Sequence, residues 1–133
     1  MQFLVNLDVD DLEKAAGFYG SAFGLTVGRR FGPHAVEMLG GAAPIYLLAC
    51  KPGSPANVAG DVRKYDRHWT PVHLDFVVED IDAAVARALA AGATLEKPAE
   101  TKSWGKLAVL ADPFGHGFCF IEFLGRGYDE IAT

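Results

Sequence analysis

At 133 residues, with 50% hydrophobic and 22% charged side chains, the chain is sized for one globular domain that holds its core without staples, and its composition excludes a disordered chain. The formal net charge is −5, and Lys and Arg are scattered apart from the stretch Arg63 to His68, which argues against a nucleic-acid footprint. Only two cysteines are present, Cys50 and Cys119, without CxxC spacing, so a disulfide framework or zinc knuckle is not expected.

From the N-terminus, Phe3, Val5, Leu7 and Val9 alternate with Leu4, Asn6 and Asp8, which predicts a strand with one fully apolar face. A helix follows on the stripe Leu12, Ala15, Ala16, Tyr19 and Phe23, with Asp10 as its cap, Glu13 in the capping-box place and Gly24 at its end. Three shorter strands are predicted at 25–30, 35–39 and 45–50, separated by turn residues at Gly32 and between Leu39 and Pro44. Residues 51–71 form a linker, long enough to suggest a lid or a functional segment.

The pattern then starts again. Val72, Leu74, Phe76 and Val78 share one strand face and leave His73, Asp75 and Val77 on the other. The second helix carries Ile81, Ala84, Val85, Ala88 and Leu89 on its stripe, with Asp80 as cap and Gly92 at its end. Strands are predicted at 94–97, 106–111 and 118–123, with a turn from Asp112 to Gly117 before the last.

Laid side by side, the halves match: Leu4 with His73, Asn6 with Asp75, Val9 with Val78, Asp11 with Asp80, and Leu12 with Ile81. Each half reads β-α-β-β-β. One such unit alone would leave a sheet face and an edge uncovered. The expected organisation is therefore one α+β domain over 1–133, with module 1 at 1–50, the linker at 51–71 and module 2 at 72–133. No segment has the apolar length to span a bilayer, and the start MQFLVNLDVDD lacks the pattern of a signal peptide, so a soluble cytoplasmic protein is expected.

The stretches VDDLEKAAGFYGSAFGL, HLDFVVEDIDAAVARALAAGA and WGKLAVLADPFGHGFCFIEF, on this tandem frame, resemble the vicinal-oxygen-chelate superfamily of glyoxalases, extradiol dioxygenases and bleomycin-resistance-type proteins. The resemblance implies two modules that curl mixed sheets around a cavity, with helices outside, and a homodimer. In metal-dependent members the ligands come from the first and last strand of each module. The matching places here are Leu4, Tyr46, His73 and Cys119. Leu4 has no donor, a neutral phenol is a poor ligand, and Cys119 stands where those enzymes have a carboxylate. Neither a chelated metal nor another cofactor is expected.

The candidate ligand contacts are Asn6, Tyr46, His73, Asp75, Trp104 and Cys119. His73 and Asp75 share a strand face. They are a ligand-contacting pair, a general base with its orienting acid, or a polar pair satisfying one another. Asn6 matches Asp75 in the other half and makes an opposite cavity wall. Cys119, between two phenylalanines, reads as a small buried hydrophobe, with a thiolate activated by His73 as the alternative. Trp104, Trp69 and Phe31 are rim aromatics or edge-of-core packing. His34 and His116 belong to exposed turns, Glu37 and Glu122 to solvated or dimer-facing positions, and the tail from Gly125 to a partner subunit.

Two functions are expected to compete. One is a binding protein for a small aromatic or amphipathic molecule. The other is a lyase, isomerase or dioxygenase-type enzyme that uses His73 as base or a metal site completed by substrate. Neither needs nucleic acid or a membrane.

Overall fold

The computed structural model describes residues 1–133, in two compact units, Met1–Asp66 and Arg67–Thr133. In the first, β1 (Val5–Val9), α1 (Leu12–Phe23), β2 (Thr26–Phe31), β3 (Ala35–Leu39) and β4 (Ile45–Ala49) follow one another. Their sheet runs in the order β1-β4-β3-β2. The second repeats this with β5 (Leu74–Val77), α2 (Ile81–Ala91), β6 (Thr94–Lys102), β7 (Gly105–Ala111) and β8 (Gly117–Phe123), in the order β5-β8-β7-β6. Both units are β-α-β-β-β, and the class is α+β. In each the first strand pairs in parallel with the last, and the remaining pairs are antiparallel. No helix is long and apolar enough to cross a membrane.

Period-two patterning sets which face is covered. In the first unit Val36, Met38, Ile45 and Leu47 are buried together with Phe18, Tyr19 and Ala22 of α1. Each fully buried side chain of the Leu or Met kind contributes roughly 1.5–3 kcal/mol. In the second unit Leu110, Phe118 and Phe120 are buried along with Ile81, Ala84 and Ala88 of α2. Leu89, expected on that stripe, is exposed instead.

Helix ends obey capping chemistry, with one correction. The α1 cap is Asp11, not Asp10: its backbone is extended, and its side chain accepts a hydrogen bond from the Lys14 amide at 3.0 Å. That puts Glu13 one residue short of the capping-box place, and it pairs with Arg30 at 2.7 Å instead. Asp80 caps α2 in the same way, through the Ala83 amide. Gly24 and Gly92 end the helices with positive φ of 68° and 117°.

Most strand limits move by a residue. The exceptions are β1 and β5, which start two residues after Phe3 and Val72, and β6, which runs on to Lys102 rather than stopping at Lys97. Pro98 ends the strand pattern in sequence, yet an edge strand tolerates a proline, and the ladder to β7 is irregular between Lys97 and Glu100.

The first part of the linker is pinned to the first unit. Arg63 Nε donates to Asp8 Oδ2 at 2.6 Å, the Tyr65 hydroxyl donates to the Cys50 carbonyl at 2.5 Å, and Pro55 and Val62 form a β-bridge. The C-terminal tail packs on its own unit. A 3-10 turn at Gly127–Glu130 brings Tyr128 against Trp104 and Phe123, with ring centroids 5.0 and 4.8 Å apart.

Three polar residues depart from their expected exposure. Glu37 is buried rather than solvated. Glu122 is half-buried, accepting from the Ile81 amide and from Lys106 Nζ. His116 is also half-buried, with Nδ1 2.8 Å from Asp112 Oδ2. Asp112 further accepts from the Phe114 and His116 amides, so this turn is an internally bonded scaffold.

Candidate functional site

On the sheet face of the second unit that points away from α2, register brings Asp75, Cys119 and Val109 into one row: Asp75 opposes Cys119 and Cys119 opposes Val109. His73, just before β5, reaches the same place, with its Nε2 3.1 Å from Asp75 Oδ1. One donor atom from each of His73, Asp75 and Cys119 lies within 4.8 Å of the others.

Around this trio opens a pocket of about 250 Å³, lined by Arg67, Trp69, Thr70, His73, Val109, Gly117, Phe118 and Cys119. That is slightly below the usual size of small-molecule sites. Trp69 is 81% exposed, so its ring is available for stacking. Arg67 is held in place: Nε and Nη2 donate to Glu96 at 2.7 and 3.1 Å, and Nη1 reaches the carbonyls of His68 and Gly115. A Cβ on Gly117 would fall 2.5 Å from Arg67 Nη2, so a larger residue there would displace the guanidinium. The wall therefore combines a fixed cation, a free indole, an imidazole backed by a carboxylate, and a thiol.

The thiol is not a nucleophile at rest. Burial, and after it the negative charge of Asp75, push the Cys119 thiol up to about 11, so it stays protonated at neutral pH.

The corresponding row in the first unit is Asn6, Tyr46 and Glu37, joined by the same register. Here the chemistry differs. Glu37 accepts from the Tyr46 hydroxyl at 2.6 Å, from Arg29 Nη2 at 2.5 Å and from the Arg29 amide at 3.1 Å. Hydrogen bonds from Arg29 and then Tyr46 hold its carboxyl down to about 2. The bond to Glu37, with burial behind it, raises the Tyr46 phenol above its ordinary value. Arg29 Nη2 in turn donates to the Tyr46 oxygen at 2.9 Å, so that phenol is both donor and acceptor inside the protein.

Of the candidate ligand contacts, His73, Asp75 and Cys119 come together in one unit, and Asn6 and Tyr46 share a row in the other. Trp104 stands apart from the pocket, packed on Phe123 and Tyr128. Arg67, Trp69 and Thr70 show that the linker end supplies pocket wall, and only Trp69 carried a signal for this. Glu37 was expected to be solvated or dimer-facing, because an acid within AVEML reads as the solvent side of a strand, and Arg29 carried no signal.

Of the places the resemblance assigns to metal, in the first unit Leu4 has no donor and the Tyr46 phenol is committed to Glu37 and Arg29. In the second unit the Cys119 thiol is held protonated beside His73. The trio of His73, Asp75 and Cys119 is a different set, and it offers three mixed donors within one module.

A profile described as a glyoxalase-like domain matches residues 4–121. The anthracycline biosynthesis protein DnrV of Streptomyces peucetius is 32% identical over 129 residues, which cover 96% of this chain and 43% of that protein. A glyoxalase/bleomycin resistance protein/dioxygenase family enzyme from Burkholderia phytofirmans superposes with a TM-score of 0.70 at 25% identity, over 91% of this chain and 97% of that one. TnmS3, an antibiotic binding protein from Streptomyces, superposes at 0.64 with 23% identity, over 93% and 96% of the two chains.

Proposed function

The chain belongs to the glyoxalase-like domain family of the vicinal-oxygen-chelate superfamily, and we propose that it is a binding protein for a planar, polar aromatic molecule, taken without a chelated metal ion. The observation that carries this is the pocket beside β8, where the exposed Trp69 ring stands beside His73 and Cys119. Aromatic walls supply contact area with little loss of side-chain freedom, and a few fixed polar groups orient the guest. His73, backed by Asp75, contacts the ligand as donor or acceptor. Arg67 sets the charge at the linker side of the pocket. Cys119, kept as a thiol, acts as a small soft wall.

Two of the similar proteins favour an aromatic natural product as guest, since one serves anthracycline biosynthesis and the other binds an antibiotic. This chain spans less than half the length of DnrV.

Trp69 reports on the proposal directly. An anthracycline aglycone should quench indole emission in the wild type and in Trp104→Phe, but not in Trp69→Phe, and chromatography should recover the compound unchanged. Equal quenching in Trp69→Phe would place the guest elsewhere.

One observation favours a second possibility. An imidazole held 3.1 Å from a carboxylate is also the geometry of an oriented general base. Were the protein a lyase or isomerase, His73→Ala would abolish turnover with little change in melting temperature. A binding role shows weakened affinity and no turnover in any variant.

A further inference from the structure

The exposed face of the first unit holds a polar device that the pocket does not use. Glu37 is only 4% exposed, although no α1-facing position requires a polar residue there. A carboxylate withdrawn from water is costly unless it is fully bonded. Both oxygens of Glu37 are bonded, and the backbone is shaped around them. A Cβ on Gly28 would lie 2.6 Å from Glu37 Oε1, and the β2–β3 ladder shifts register between Val27 and Arg30. That irregularity is what lets the Arg29 amide and side chain both face Glu37.

The result is an arginine fixed at one edge and free at the other. Nε and Nη2 are engaged by Glu37 and Tyr46, yet the Arg29 side chain is 69% exposed and Nη1 is bonded to neither. Its guanidinium carbon is 5.8 Å from the centre of the Phe31 ring, which lies 6.1 Å from Tyr46 and is itself substantially exposed. An exposed ion pair adds little to stability. A guanidinium already immobilised, however, loses little further entropy on binding, and its planar edge suits a carboxylate.

We propose that Arg29, held by Glu37 and Tyr46 beside the Phe31 ring, is a subsite for aromatic carboxylates on the first unit. The carboxylate accepts from Nη1 while the aromatic part lies on Phe31, and the outer positive edge of the Arg29–Glu37 pair faces the anion. None of its residues lines the pocket beside β8.

The test is a titration of ¹⁵N-labelled protein with 2-naphthoate, against 2-naphthylmethylammonium as the oppositely charged control. Naphthoate should shift the Arg29 Nε signal and the amides of β2 and β4, and the ammonium should not. Phe31→Ala, at an exposed position, should weaken binding about tenfold, and Arg29→Lys, which keeps the charge but loses the fork, by a similar factor. Equal response to both compounds, shifts confined to residues 67–119, or no shifts at all would overturn the proposal. Shifts at Arg29 with silence at Trp69 and His73 would uphold this subsite and count against the pocket for that compound.

Discussion

Glu37 and Val109 occupy the same place in the two modules, opposite Tyr46 and Cys119 respectively, and this one difference separates two kinds of surface. Where the acid is present, Arg29 and Tyr46 gather on it. Where valine stands, the row stays open, and His73 and Asp75 supply the polar wall. Glu37 also sets a pH dependence. Its carboxyl is held at about 2, below the ordinary 4.5, so its contribution to stability is complete above pH 4.5 and disappears as pH falls towards 2. Glu37→Gln should therefore lower the neutral-pH melting temperature and flatten the acid limb of a melting profile in that window. An unchanged acid limb would mean that the Arg29 pair does not persist in solution. At this scale the sequence was half legible. Period two set His73 and Asp75 on one strand face, and the family resemblance set Cys119 on the last strand of the same module. Glu37 was missed because alternation identifies the face a residue is on, and a bulge on the neighbouring strand decides whether that face is wet.

Elements were more legible than single residues, because each is over-determined by several weak signals. The helices were marked by an apolar stripe, an acidic cap and a closing glycine, and both are present close to the predicted limits. The misplacement of a cap by one residue shows what pattern alone lacks: Asp10 and Asp11 are adjacent acids, and only backbone geometry decides which one turns its oxygen onto the Lys14 amide. Asp11→Ala should accordingly cost about 1 kcal/mol in chemical denaturation, as Asp80→Ala should in α2. Asp10→Ala should stay within ~0.5 kcal/mol of wild type, as an uninvolved surface position does. The reverse order would put the cap back at Asp10. The continuation of β6 through Pro98 was illegible for a related reason. Proline forbids a central strand but not an edge, and which strand is the edge is a property of the sheet.

At the scale of the molecule, duplication was the strongest signal in the chain for the class and the order of elements, while the family rested on the resemblance of three stretches set on that frame. Duplication does not fix chemistry. The two modules keep one frame and one register, but the frame carries Asn6, Tyr46 and Glu37 in one and Asp75, Cys119 and Val109 in the other. The linker contributes in a way that no repeat could announce, since its end brings Arg67, Trp69 and Thr70 to the pocket. The proposed activity needs neither an ion nor a thiolate, only a shaped aromatic and polar wall. Isothermal titration of the protein as purified with an anthracycline aglycone, with and without EDTA, addresses this most directly. Binding heat and affinity should be the same in both, whereas heat that vanishes in EDTA and returns with added zinc or manganese would contradict it.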